Sequence, residues 1–178
     1  MTEFIVLPGI GGSGRSHWQT HWEHANPAMR RFAPADWAAP DFGNWMAALE
    51  LAVVTAHTPP LLIAHSLSCL LVAHWQKVSR LPVRGAFLAA VPDPASAVFP
   101  PNAGDFAKTP HQRFRFPSLI IASTNDPYGS LVYAETRAVQ WGCQLHLAGD
   151  VGHINSASNL GEWPEGFALL ESFAAACP

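Results

Sequence analysis

Three residues in this chain have the types and the order needed for nucleophilic acyl chemistry: Ser66, Asp126 and His153. Ser66 lies in the string Ala64-His65-Ser66-Leu67-Ser68, with a small residue two positions away on either side. That is the small-x-Ser-x-small pattern of a nucleophile elbow, where a strand turns sharply into a helix and bulky neighbours would clash with the strained serine backbone. The usual neighbours are glycines; Ala64 and Ser68 are the next smallest choices. A serine hydroxyl attacks poorly unless a base takes its proton and a third group orients that base. In elbow-type enzymes these follow in the order serine, acid, histidine. Asp126, in Thr124-Asn125-Asp126-Pro127-Tyr128, and His153, in Gly149-Asp150-Val151-Gly152-His153-Ile154-Asn155, supply that order. Asp93 is the runner-up acid and Asp150 a weaker third. The oxyanion that forms on attack needs donors, and the backbone N–H groups of Leu67 and Ile10 are the expected pair.

Each residue also has a plainer reading. Ser66 is acceptable as a helix N-cap, Asp126-Pro127 as a turn starter, and His153 as a surface-loop histidine. What favours the joint reading is position. An apolar run, residues 60–65, leads into Ser66, and a helix is expected from Leu67 to Lys77. Asp126 follows a strong strand over residues 116–123, and His153 follows one over 144–148. Parallel sheets carry functional loops at the carboxyl ends of their strands, so all three would emerge on one rim. Gly152 is expected to give the imidazole room to turn inward.

The remaining elements alternate in the same way. Strands are expected over residues 3–7, 29–32 and 83–91, and helices over 15–24, 42–56, 131–141 and 163–176. Near-continuous apolar strands alternating with helices imply an α/β fold, a doubly wound, mostly parallel sheet with helices on both faces. Residues 1–178 read as one domain. The glycine-rich loop Pro8-Gly9-Ile10-Gly11-Gly12-Ser13-Gly14 lacks the Lys-Ser/Thr pair and the acidic residue of nucleotide-binding loops, so no cofactor is expected. Residues 92–115 hold five prolines and no regular pattern; a loop of that length is usually functional, and with Phe99, Phe106 and His111 it is expected to roof the pocket.

Composition sets further bounds. The chain has 178 residues, long enough for one sizeable core, and a net charge of −3 with no basic run, which argues against nucleic acid as a partner. Apolar runs are too short for a membrane span, and the first ten residues lack a basic start and a cleavage site, so no signal peptide and no membrane partner are expected. The three scattered cysteines, Cys69, Cys143 and Cys177, suit reduced thiols in the cytoplasm. Cys69 reads as buried packing. His17, His21 and His24 share one helical face, but the glutamate of a zinc-protease motif is absent, so no metal is expected; Trp18 and Trp22 instead should pack that helix on the sheet.

With these residues placed, the chain resembles the small α/β-hydrolases of the YdeN and retinoblastoma-binding protein nine type, over nearly its whole length. The likeness rests on Pro8-Gly9, His17-Trp18-Gln19 with Trp22-Glu23, and Asp36-Trp37 with Pro40 and Trp45. It continues through His65-Ser66-Leu67, Asn125-Asp126-Pro127-Tyr128, Gly152-His153-Ile154-Asn155 and Gly161-Glu162-Trp163-Pro164. The resemblance implies a cap-free α/β-hydrolase with a Ser66–Asp126–His153 triad and serine-hydrolase activity, esterase-like or peptidase-like. Leu67-Ser68-Cys69-Leu70-Leu71 ends in leucine where the family's retinoblastoma-binding motif has glutamate, so that partner is not carried over. The expected substrate is a small ester, thioester or amide. A non-catalytic binding protein on the same scaffold, and an acyltransferase using the same triad, stand as rival readings.

Overall fold

Every strand in the computed structural model, which describes residues 2–178 and so leaves Met1 outside, runs parallel to its neighbours in one six-stranded sheet. The order is β2 (Met29–Arg31), β1 (Phe4–Leu7), β3 (Leu61–His65), β4 (Gly85–Ala89), β5 (Ser118–Ala122) and β6 (Gln144–Leu147). The chain winds outward from β1 to β2, then returns to lay β3 on the other side of β1. The reversal between β1 and β3 is where ligand crevices form in doubly wound sheets.

Five helices cover the sheet: α1 (Trp18–Ala25), α2 (Phe42–Val54), α3 (Leu67–Val78), α4 (Leu131–Trp141) and α5 (Pro164–Ala176). Alternate strand residues face opposite sides, and each side is apolar. Ile5, Leu62, Leu88 and Ile120 pack under α2, α3 and α4 with Trp45, Trp75 and Trp141. Val6, Ile63, Phe87 and Ile121 pack under α1 and α5 with Trp18, Trp22 and Trp163. The tryptophans that dominate both cores are nearly devoid of solvent contact; Trp18 and Trp22 do pin α1 to the sheet, as expected.

The expected elements all form, with shifted ends. The first helix begins at Trp18 rather than residue 15, because the His17 side chain accepts the Gln19 N–H and caps it there. The fourth strand spans only Gly85–Ala89, inside the expected 83–91. Between β4 and β5 the chain is irregular except for one 3₁₀ stretch, Pro101–Phe106. Phe106 is wholly buried against Phe42 and Trp45, so it belongs to the core and not to a pocket roof, and His111 is exposed away from the site.

Candidate active site

β3 delivers Ser66 to the carboxyl rim of the sheet. All five of its residues are buried, and the Ser66 N–H donates to the Ala89 carbonyl at 3.0 Å, so the turn that follows is held to β4. Ser66 itself has φ 54° and ψ −124°. For a residue with a Cβ such a conformation stores roughly 1–3 kcal/mol, and surrounding contacts must impose it. The small neighbours explain how. Ala64 lies fully buried beneath the turn, and the Ser68 hydroxyl donates to the Pro8 carbonyl at 2.6 Å, tying the start of α3 to the end of β1. Gly9 completes the fit: a Cβ there would stand 2.9 Å from Ser66 Cβ and 3.2 Å from the His65 carbonyl oxygen. Although Ser66 precedes a helix, its side chain makes no capping bond.

Its hydroxyl meets His153 instead. Ser66 Oγ lies 2.8 Å from His153 Nε2, and Nδ1 lies 2.9 and 2.8 Å from the two Asp126 oxygens. A carboxylate only accepts, so Nδ1 carries the proton and donates, leaving Nε2 free to accept from the serine. The Asp126 side chain is also fixed by the Tyr128 N–H, 2.8 Å from Oδ1, and the Tyr128 ring lies 4.3 Å from the imidazole, centroid to centroid. The two runner-up acids are engaged elsewhere. Asp93 Oδ1 accepts the Ala95 N–H in a turn, and Asp150 accepts the Thr124 hydroxyl.

The loop carrying His153 needs left-handed backbone at Gly149, Gly152 and Ile154. Gly152 has a φ of +62°, which favours glycine, and beyond its two chain neighbours a Cβ there would meet Ser158 Oγ at 3.7 Å. The Asn125 side chain accepts the Gly152 N–H at 2.7 Å and Ser123 Oγ accepts the Val151 N–H at 3.0 Å, locking the loops after β5 and β6 together.

Two histidines that residue patterns did not single out for roles here support the arrangement. His65, just before Ser66, is buried and donates from Nε2 to the His153 carbonyl at 2.9 Å. Burial holds its pKa well below the ordinary value, helped by the nearby His17 and His153, so it stays neutral. Its place beside Ser66 was visible; its partner, 88 positions away, was not. His17 packs edge-on against His65 at 4.7 Å. Arg31 on β2 was likewise missed: it reaches the carbonyls of Gly12 and Ser13 and pairs with Glu23 on α1, bracing the glycine loop.

Ser66 and His153 open on a cavity of about 330 Å³. The glycine loop forms one wall, through Ile10, Gly11 and Ser13, and Phe99 and Pro100 from the irregular segment form another. Ile10 and Leu67 both line it. The Gly11 N–H is spent on the Trp37 carbonyl and the Gly12 N–H on Gly9, whereas those of Ile10 and Leu67 meet no acceptor among the described residues. Cys69 lies beneath the elbow, fully buried with its Sγ on the Ala89 carbonyl; burial pushes its thiol well up, so it is packing. His17, His21 and His24 do not gather: among the described residues no three His, Cys, Asp or Glu side chains are placed to hold a metal. No helix among them is long and apolar enough to cross a membrane.

Residues 4–172 match the family described as serine hydrolase. The chain belongs to that family. Among solved structures, this hydrolase is similar to a protein of Pectobacterium atrosepticum described as YdeN-like, with a TM-score of 0.90 and 27% identity over 100% of this chain and 94% of the other. The ydeN gene product of B. subtilis superposes with a TM-score of 0.76 at 18% identity, covering 98% of this chain and all of that one. A monoacylglycerol lipase of Paleococcus ferrophilus, at 12% identity and a TM-score of 0.74 over 98% and 96% of the two chains, shares the fold. None of the curated proteins matches the chain.

Proposed function

We propose that this serine hydrolase cleaves a small ester, thioester or amide through an acyl-enzyme on Ser66. The observation that carries the reading is the unbroken hydrogen-bonded line from Ser66 Oγ through His153 to Asp126. In this reading Ser66 Oγ attacks the substrate carbonyl while its proton passes to His153 Nε2. Asp126 holds the tautomer and stabilises the imidazolium that forms. The oxyanion is received by the N–H groups of Ile10 and Leu67. As the carbonyl re-forms, the leaving group departs with the proton from His153, and Ser66 is left acylated. Water then repeats the sequence: His153 takes its proton, the hydroxide adds to the acyl carbon, and Ser66 leaves reprotonated with the acid as product. Small cavity volume, near the lower end for ligand sites, and the bulk of Phe99 favour short acyl groups.

A fluorophosphonate probe tests the reading, because it traps only serines that are activated and accessible. The wild type should label at one site and hydrolyse p-nitrophenyl acetate, and Ser66→Ala should lose the label and at least about a thousandfold of the turnover. A folded wild type that stays unlabelled would sink the proposal in favour of a scaffold without catalysis.

A further inference from the structure

In the acyl-enzyme reading above, His153 becomes a cation twice in each turnover, and Asp126 answers that charge only at Nδ1. The flat of the imidazole is met by Tyr128, whose ring centroid stands 4.3 Å from its own with 40° between the planes. That separation falls below the range of about 4.5–7 Å usual for aromatic pairs, which leaves no room for a perpendicular, edge-on meeting. The imidazole therefore overlaps the π face of Tyr128.

Backbone contacts hold Tyr128 in this place. Its N–H donates to Asp126 Oδ1 at 2.8 Å, and its carbonyl accepts the Asp93 N–H at 2.8 Å. On one side the Ser96 hydroxyl donates to the Pro127 carbonyl at 3.3 Å. On the other, Gly129 lies so close to the loop after β4 that a Cβ there would collide with the Val91 carbonyl oxygen. The loops after β4 and β5 are thus clamped together, and the ring is presented to His153 before any substrate arrives. None of these contacts uses the Tyr128 hydroxyl. The other titratable groups facing His153 are Asp126 and His65, whose ring is tilted at 5.1 Å with His17 packed behind it. Burial keeps both of those histidines neutral at pH 7, so neither adds a competing positive charge.

We infer that Tyr128 is a positioning residue for catalysis, whose π face stabilises the imidazolium of His153. The inference rests on the acyl-enzyme reading. As Ser66 Oγ bonds to the substrate carbonyl carbon, its proton moves to Nε2, and the charge that appears spreads over the imidazole until the proton passes to the leaving group. A cation within about 6 Å of an aromatic centroid is drawn to the negative face of that ring. The neutral imidazole of the resting enzyme gains far less. An attraction that switches on only as the barrier is climbed raises kcat without tightening substrate binding.

The test removes the charge of the face and keeps its shape. Tyr128→Phe retains a full π face, whereas 3,4,5-trifluorophenylalanine at the same position has nearly the same outline with the negative potential withdrawn. Both are assayed on p-nitrophenyl acetate from pH 5 to 9 beside the wild type. Tyr128→Phe should stay within about threefold of wild type in kcat. The trifluoro variant should lose about fivefold or more in kcat relative to Tyr128→Phe, the worth of one cation–π contact. Its KM should be nearly unchanged, because acylation and deacylation both pass through the imidazolium. The acidic limb of its kcat/KM profile, where His153 takes up a proton and stops accepting from Ser66, should move to lower pH by about half a unit. A ring that merely fills space serves equally well in both forms, so equal kcat and equal acidic limbs in the two variants overturn the inference. So does a Tyr128→Phe enzyme as slow as the trifluoro one, since the hydroxyl would then carry the effect. A wild type that neither labels with fluorophosphonate nor cleaves the ester overturns the acyl-enzyme reading instead, and this inference with it.

Discussion

Asp126 accepts from His153 Nδ1 with both oxygens and from the Tyr128 main chain with one. Its carboxylate thus both selects the tautomer that leaves Nε2 basic and resists being turned away. Asp126→Ala should lower kcat by about 10³- to 10⁴-fold, the usual cost of losing the tautomer-setting acid, while circular dichroism and the folded yield stay near wild type. Near-normal turnover in that variant would show that the carboxylate orients nothing. Asp126 could be picked out as the candidate acid because it follows a strong apolar strand, so its loop had to lie on the rim with Ser66. The supporting groups were not. His65 and His153 are 88 positions apart, Ser68 and Pro8 are 60 apart, and Arg31 reaches the glycine loop across 19. Such pairings follow from the winding of the sheet and leave no spacing signal in the chain.

At the scale of elements, strand and helix order were readable because hydrophobic runs and helical spacing are local properties; their ends were less so. The end of β4 and the start of α1 are set by caps and by which neighbour has a strand to pair with. Residues 92–115 show the limit most clearly. Proline content marked them as irregular, but nothing local separates Phe99, which faces the cavity, from Phe106, which is sealed between Phe42 and Trp45. Because Phe106 is anchored in the core and His74 contacts its carbonyl at 3.1 Å, the short roof is pinned on one side. A pinned wall around about 330 Å³ leaves little room for a long chain. Across p-nitrophenyl esters from acetate to dodecanoate, kcat/KM should peak at or below butyrate and fall by about tenfold or more by octanoate. A maximum at octanoate or longer would mean that the roof opens and that cavity size does not select.

The whole molecule converges on a seam of histidines drawn from three remote parts of the chain: His17 before α1, His65 ending β3 and His153 after β6. His17 and His65 are both held neutral by burial, His17 down to about 4 and His65 well below its ordinary value. The consequence for stability has a definite sign. In the unfolded chain these rings take up protons as pH falls through about 6.5, while in the folded protein they refuse them. The unfolded state therefore binds more protons, and stability is full above that pH and drains away as pH falls toward 4. For His17 the window is set by its own pKa of about 4, and the loss across it is on the order of 3 kcal/mol at most. Urea unfolding at pH 7, 5.5 and 4.5 should show the midpoint falling with each step. His17→Asn, which removes one titrating ring and keeps the helix cap, should fall less steeply over the same range. Equal slopes in the two proteins would mean that His17 ionises in the folded state as readily as in the unfolded one. It would then be a partly charged group at mildly acidic pH, and neither its burial beside Arg31 nor its neutrality would hold.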